Sequence, residues 1–224
     1  MAIVKICGIR DTAMLRVAAE AGADWIGFVL VPQSPRYIAR DGEPMLAALA
    51  ALLTEASAVG VKSVVLTTDP DAALLDALSG DVCPDVVQLH GSERPEFVAE
   101  VRAALPPAIE VWKALGIATP TDLEAASTYT AADRLLIDAK PPRGATRTGG
   151  HGTAFDWTIL EDWAAPKPWL LAGGLDPDNV AAAILKTRAA AVDVSSGVER
   201  ERGVKDAGLI RKFVAAAKSA NSPD

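Results

Sequence analysis

The sequence predicts an α/β fold of alternating strands and helices in a single domain, a (βα)8 TIM barrel. Three observations carry this. Short apolar runs recur eight times, each rich in Val, Ile and Leu and nearly unbroken, as strands covered on both faces should be. The stretches between them are long enough for the crossover helices that parallel strands require. The length of 224 residues falls inside the range of one such barrel. Periodicity by itself leaves an open doubly wound sheet with the same element order as the alternative; length and the strand-end motifs favour the barrel.

In chain order the expected strands are Val4 to Gly8, Trp25 to Leu30, Lys62 to Thr68, Val86 to Gly91, Glu110 to Gly116, Arg134 to Ala139, Trp169 to Leu175 and Ala191 to Gly197. Ala- and Leu-rich segments such as Met45 to Ala56, and Leu74 to Leu78 with its flanks, read as helices. Asp69-Pro70, Thr119-Pro120 and Asp176-Pro177 each offer a side-chain acceptor at the cap and proline at the first helical position. Glu93 and Arg94 after Ser92 read as a further helix opening. With no linker or low-complexity segment, residues 1–224 form one domain, and residues 218–224, KSANSPD, are expected to be a frayed tail.

Composition bounds the function. Half the residues are hydrophobic and 23% are charged, so a large core forms under a solvated surface. No apolar run reaches the roughly 20 residues of a membrane span, and MAIVKICGIR carries no signal stretch with a cleavage site. The cytoplasm is the expected location. Two cysteines, Cys7 and Cys83, make no disulfide framework and no CxxC spacing, and two histidines, His90 and His151, are too few for a His-rich metal site. A net charge of −7 argues against nucleic acid or an anionic membrane as partner. A small anionic substrate stays compatible, provided its site is locally basic.

Ligands of both candidate architectures bind beyond the carboxyl ends of the strands. The first strand ends in Cys7, with Gly8 beside it and Lys5 two residues back on the same face. A cation there sets how much thiolate exists at neutral pH, although a buried strand cysteine is also an ordinary small hydrophobe. The sixth strand ends in Asp138, a carboxylate that is costly after an apolar run unless paired or used; capping a helix or pairing with Lys140 is its other reading. Together they offer a base and an acid at one end of a barrel. Gly173-Gly174 after the seventh strand and Ser195-Ser196-Gly197 after the eighth are turns whose free N–H groups suit an anion, where such barrels hold phosphate. In the stiff loop VPQSPRYI, residues 31–38, Arg36 suits a bidentate grip on a carboxylate, or is simply solvated. The long glycine-rich stretch after Asp138 carries Lys140, Arg143 and Arg147 and meets the requirement for local basicity; we read residues 140–153 as a lid or a surface loop. Parity puts Gln88 with His90 on one face, Leu136 with Asp138, and Asp193 with Ser195. Lys5 and Asp193 are expected in a buried polar network beneath the site, since buried charges need partners.

The ordered set VKICGIR, GFVLVPQSPRYI, VQLHG, LLIDAK, GGHGTAFDW, LAGGLDPDNV and DVSSGVE with GVKD behind it resembles the phosphoribosylanthranilate isomerases over essentially the whole chain. KICG with SPRYI in the next loop is quite specific, and the complete order very specific. The resemblance implies a (βα)8 barrel and an Amadori rearrangement in tryptophan biosynthesis, without metal or organic cofactor. It implies Cys7 as the general base at the sugar C2, and Asp138 as the acid that opens the ring. Arg36 would hold the anthranilate carboxylate, and groups around Gly173, Gly174, Ser195, Ser196 and Gly197 the phosphate. His90 and Asp193 complete the expected substrate-binding set. The partner is a small anionic substrate, with the chain a monomer or a homodimer.

Two departures stand out: the segment from Asp138 to Gly149 is longer and more basic than the family pattern, and His151 sits inside the GG-x-G run. Cys83 matches no functional position and is read as structural. The sister isomerase of the histidine pathway uses two aspartates, where this chain offers Cys7. Indole-glycerol phosphate synthase depends on lysine and glutamate, and Lys113 alone does not supply that set. A silent sugar-phosphate binder would not need Cys7 and Asp138 together.

Overall fold

The computed structural model describes residues 1–39, 45–139 and 156–220. Eight parallel strands, β1 (Ile3–Cys7), β2 (Trp25–Val29), β3 (Lys62–Thr67), β4 (Val86–Leu89), β5 (Glu110–Ile117), β6 (Arg134–Ala139), β7 (Trp169–Leu171) and β8 (Ala191–Val194), pair in sequence order. Pairing of Lys5 with Asp193 across β1 and β8 closes the barrel, which removes the open-sheet alternative. The strands coincide with the expected runs; six of the eight end before the predicted last residue, and β6 ends on it. Gly8, Gly91, Gly173 to Leu175 and Ser195 to Gly197 stand in the loops past the strand ends. β5 instead runs one residue further, to Ile117.

The helices are α1 (Thr12–Glu20), α2 (Met45–Ala58), α3 (Ala72–Ser79), α4 (Pro95–Ala104), α5 (Pro120–Glu124), α6 (Val180–Thr187) and α7 (Ala207–Ser219). The eighth expected helix is replaced, among the described residues, by a 3-10 turn at Trp157–Leu160. A hairpin absent from the expectation follows β8: β9 (Glu199–Glu201) and β10 (Val204–Lys205). Lys218 and Ser219, expected in a frayed tail, are the last two residues of α7, and 221–224 lie outside the described residues.

One of the expected caps is right. Thr119 and Asp122 form a capping box at α5. Asp69 instead takes a left-handed φ of 43°, and the α3 cap is Asp71, whose side chain accepts from the Leu74 N–H at 2.8 Å. Asp176 accepts from the N–H groups of Asp178 and Asn179 in a turn, so α6 starts three residues late, behind Asn179. Proline-containing turns and helix starts share one local signal, an acceptor before a residue of fixed φ.

At the amino end of the barrel an unforeseen pattern repeats. Asp24, Asp85 and Asp133 each precede an even-numbered strand, and their Oδ2 atoms accept from the N–H groups of Val4, Ser63 and Val111 at 2.8, 2.7 and 2.7 Å. Each carboxylate thus satisfies a backbone donor on the preceding strand. The barrel interior is filled by Trp25, Val64, Val86, Trp112, Ala114, Leu136, Leu170, Ala172 and Ala191. The Trp25 and Trp112 rings meet edge to face at 4.9 Å, an arrangement favoured by their quadrupoles. The opposite strand faces, with Ile6, Ile26, Phe28, Val65, Val87, Leu135 and Ile137, pack against the helices in a separate and larger core. Two cores explain why the runs lack alternation. No described helix is long and apolar enough to cross a membrane.

Candidate active site

A cavity of about 820 Å³, counting the part open to solvent, lies at the carboxyl end of the barrel. Cys7, Arg36, His90, Asp138, Gly173, Gly174, Asp193, Ser195 and Ser196 all line it. Val29, Leu66 and Val31 pack with Cys7 to form an apolar wall. Of the residues expected from sequence, Gly197 does not line the cavity. A Cβ there would stand 1.9 Å from the Leu175 carbonyl oxygen, so Gly197 lets the loop after β8 lie against the loop after β7. The expected lid, with Lys140, Arg143, Arg147 and His151, lies outside the described residues.

Cys7 is buried at the last position of β1. Gly27 sits opposite it in register, and a Cβ on Gly27 would come within 2.9 Å of Cys7 Sγ and 3.2 Å of Lys5 Nζ. The glycine therefore makes room for the thiol and the ammonium together inside the barrel. Lys5 is fully buried and donates to Asp193 Oδ1 at 2.9 Å, the network that parity anticipated. Burial opposes its charge, but Asp193 and Cys7 outweigh this and leave the Lys5 pKa raised. Burial likewise pushes the Cys7 thiol up; Lys5 pulls it back, Asp193 adds to the rise and Lys205 offsets it, and the net direction is up. The resting cysteine is a thiol with two cations at hand to receive a thiolate.

Asp138 faces the cavity from the end of β6. His90 Nε2 lies 3.4 Å from Asp138 Oδ2, and His90 Nδ1 is 2.8 Å from Gln88 Nε2. With the buried Gln88 amide donating to Nδ1, the neutral ring carries its proton on Nε2 and turns it to the carboxylate. His90 lies in turn on a loop held by a second buried pair. Glu93 accepts from the N–H groups of Asp69 and Gly91 and from Lys113 Nζ. Burial disfavours the Glu93 carboxylate, yet these bonds, Lys113's first, outweigh it and lower its pKa. Glu93 therefore ties the loop directly ahead of α4, whose N-cap is Arg94, so the helix opening expected at Glu93 and Arg94 is in place. Lys113 sits in register with Leu89 and Leu135, on the helix-facing side of β5, and does not line the cavity.

The phosphate-type loop has the expected backbone. Gly173 and Gly174 take φ of 85° and 68°, a region open to glycine, and their N–H groups make no hydrogen bond to a described residue. Asn179 secures the turn by donating to the Gly174 carbonyl at 2.8 Å and accepting from the Asp176 N–H at 2.9 Å. Arg36 reaches the cavity across Gly8, where a Cβ would lie 2.6 Å from Arg36 Cδ. Its Nε and Nη2 donate to the two carboxylate oxygens of Glu199 at 2.6 and 2.9 Å. Glu199 and Lys205, which the sequence reading missed, face each other on the β9–β10 hairpin at 2.9 Å. Their signal was a charged pair flanking Arg202-Gly203 immediately past the eighth strand.

Among the described residues no cluster of His, Cys, Asp and Glu could hold a metal ion. Cys83, read as structural, is an exposed thiol ahead of β4.

Residues 4–216 match the family model described as N-(5'-phosphoribosyl)anthranilate (PRA) isomerase. The chain is 49% identical over 223 residues to the N-(5'-phosphoribosyl)anthranilate isomerase of Hyphomonas neptunium, covering 100% of both chains. It superposes with a TM-score of 0.84 and 33% identity on the crystal structure of phosphoribosyl anthranilate isomerase from Thermotoga maritima, covering 98% of this chain and 100% of that one. A crystal structure of a phosphoribosyl anthranilate isomerase in complex with reduced 1-(o-carboxyphenylamino)-1-deoxyribulose 5-phosphate matches with a TM-score of 0.81 and 31% identity over 98% of this chain and 100% of that one.

Proposed function

The chain belongs to the N-(5'-phosphoribosyl)anthranilate isomerase family, and on that premise we propose that Cys7 and Asp138 carry the proton transfers of its reaction. The reaction is the Amadori rearrangement of N-(5'-phosphoribosyl)anthranilate to 1-(2-carboxyphenylamino)-1-deoxyribulose 5-phosphate, in tryptophan biosynthesis. Asp138 gives a proton to the furanose oxygen as the C1–O bond breaks and the anilino nitrogen lone pair forms the C1=N bond. The Cys7 thiolate takes the C2 proton, and its electron pair becomes the C1=C2 bond of the enolamine. Transfer of the 2-hydroxyl proton to C1 then gives the ketose. Protons move and no electrons are exchanged with a second reactant, so the chemistry needs no redox partner.

The observation that carries this reading is that one cavity brings together Cys7, Asp138, Arg36 and the glycine turn of the seventh loop. β1 and β6 are separated by β7 and β8 around the barrel, so base and acid reach a substrate from different sides. Arg36 would take the anthranilate carboxylate, with Gly173, Gly174, Ser195 and Ser196 around the phosphate. His90 would orient the acid, and Asp193 would act beneath the substrate through Lys5. The ligand is a small phosphorylated carboxylate; neither nucleic acid nor a membrane has a role, and the net charge of −7 supports that. The chain acts in the cytoplasm as a monomer or a homodimer.

The test follows loss of substrate fluorescence as purified protein meets phosphoribosylanthranilate generated in situ. Rapid, enzyme-dependent loss that disappears in Cys7→Ala and Asp138→Asn is expected. Full activity in either variant would remove that residue from the mechanism.

A further inference from the structure

Arg36 does not meet the cavity as a free arginine. Glu199 already occupies its Nε–Nη2 edge through two hydrogen bonds of 2.6 and 2.9 Å. The same carboxylate accepts from Lys205 Nζ at 2.9 Å and from the Gly203 N–H at 3.0 Å. Lys205, itself buried, also donates to the Ser195 carbonyl at 2.8 Å, and the Ser195 hydroxyl donates to the Cys7 carbonyl at 3.2 Å. One polar chain thus runs from Arg36 through the hairpin to the base strand.

The hairpin is seated against the loop that carries the arginine. Gly203 has a φ of 81°, and a Cβ on it would lie 2.5 Å from the Pro35 carbonyl oxygen. The neighbouring Arg36 N–H donates to the Ser34 hydroxyl at 3.1 Å. Gly8 lies under the arginine stem, so the side chain is held at its base and at one edge. A guanidinium gripped on the Nε–Nη2 edge keeps the Nη1–Nη2 edge for a second bidentate partner. Burial disfavours the Glu199 charge, but Arg36 and then Lys205 outweigh it and hold its pKa at about 2. The grip therefore persists across the working pH range.

Accepting that Arg36 binds the substrate carboxylate, we propose that Glu199 and Lys205 are positioning residues that fix Arg36 so that only its end-on edge is offered to that carboxylate. Lys205 balances the Glu199 charge, and Glu199 sets the plane and reach of the guanidinium. The pair acts on recognition of the aromatic carboxylate and leaves proton transfer to Cys7 and Asp138.

The test compares N-(5-phosphoribosyl)anthranilate with N-(5-phosphoribosyl)aniline, which lacks the carboxylate. Glu199→Asp keeps the charge opposite buried Lys205 but withdraws the carboxylate by one methylene. Glu199→Gln removes the carboxylate charge but keeps Lys205, whose ammonium also bears on Cys7, and thermal melts identify the folded variants. For the carboxylated substrate KM should rise about tenfold or more, the scale of a charge-assisted hydrogen bond, while kcat changes little. Kinetics with the aniline substrate should stay at the parent level. In an Arg36→Met background the same changes should add nothing, because they act through the arginine. An unchanged or lowered KM, equal losses on both substrates, or full additivity with Arg36→Met would overturn the proposal. If Arg36→Met itself leaves the preference for the carboxylated substrate intact, the Arg36 reading fails first and takes this one with it.

Discussion

Replacing Lys5 with Met tests how the barrel interior supports Cys7, the proposed base. The ammonium is fully buried and bonded to Asp193 Oδ1 at 2.9 Å. Removing one member of such a pair strands the other charge and costs about 3–5 kcal/mol. For a domain of this size the melting temperature should fall on the order of 6–20 °C. Lys5→Met/Asp193→Asn, which strands no ammonium and no carboxylate, should recover most of the loss. The pH dependence has a definite sign. The folded Lys5 pKa is raised above its ordinary 10.5, so the stabilisation is complete below that value and is lost as pH rises through the folded pKa. The folded Cys7 pKa is raised above 9.0, so stability also falls as pH climbs past that ordinary value. In activity, kcat/KM should rise with pH as the thiolate forms, and Lys5→Met should move that limb to higher pH because a cation favouring the thiolate is gone. Thermal melts and pH-rate profiles read both effects. A variant that melts within about 2 °C of the parent, with an unshifted limb, would refute the argument that Lys5 is a paired charge serving Cys7.

Cys7→Ala should lower turnover by orders of magnitude while a substrate analogue still binds, measured by calorimetry beside steady-state kinetics; a parent-like kcat would eliminate Cys7 as base. Gly197→Ala places a methyl against the Leu175 carbonyl oxygen and should cost at least about 1–3 kcal/mol of stability and weaken phosphate affinity, both read by a melt with and without inorganic phosphate. Asp85→Ala leaves the Ser63 N–H without its 2.7 Å acceptor at the far end of the barrel. It should cost about 1–3 kcal/mol in urea unfolding with kcat unchanged, and an altered kcat would contradict the separation of the two barrel ends.

How far the site was legible depends on the kind of signal. Cys7 and Asp138 stood out because a polar group that ends an apolar run is expensive unless it is used. Lys5 and Asp193 followed from strand parity, since alternate side chains share a face. The caps at Asp69 and Asp176 failed because an acceptor followed by proline fits a turn as well as a helix start, and only the path of the following backbone chooses. The helix opening expected at Glu93 and Arg94 is there, but that Glu93 is also a buried anchor was not legible, because Lys113 lies 20 residues along the chain and meets it only when β4 and β5 are adjacent. Gly27 looked like an unremarked strand residue until the thiol and ammonium beside it were in place.

Sequence alone determined the number and order of the strands, their burial on both faces, the polar Cys7 and Asp138 at two strand ends, and the glycine turns after the seventh and eighth strands. These rest on local composition and on the period of the backbone, which act within a few residues. Tertiary structure alone decided that the sheet closes, that Arg36 is held by Glu199 163 residues away, and that Gly197 serves loop packing. Such features are pairings between distant segments, and nothing local in either partner specifies the other. The closure of β1 onto β8 is what brings them within reach, and it also places Lys5 against Asp193 across 188 residues of chain.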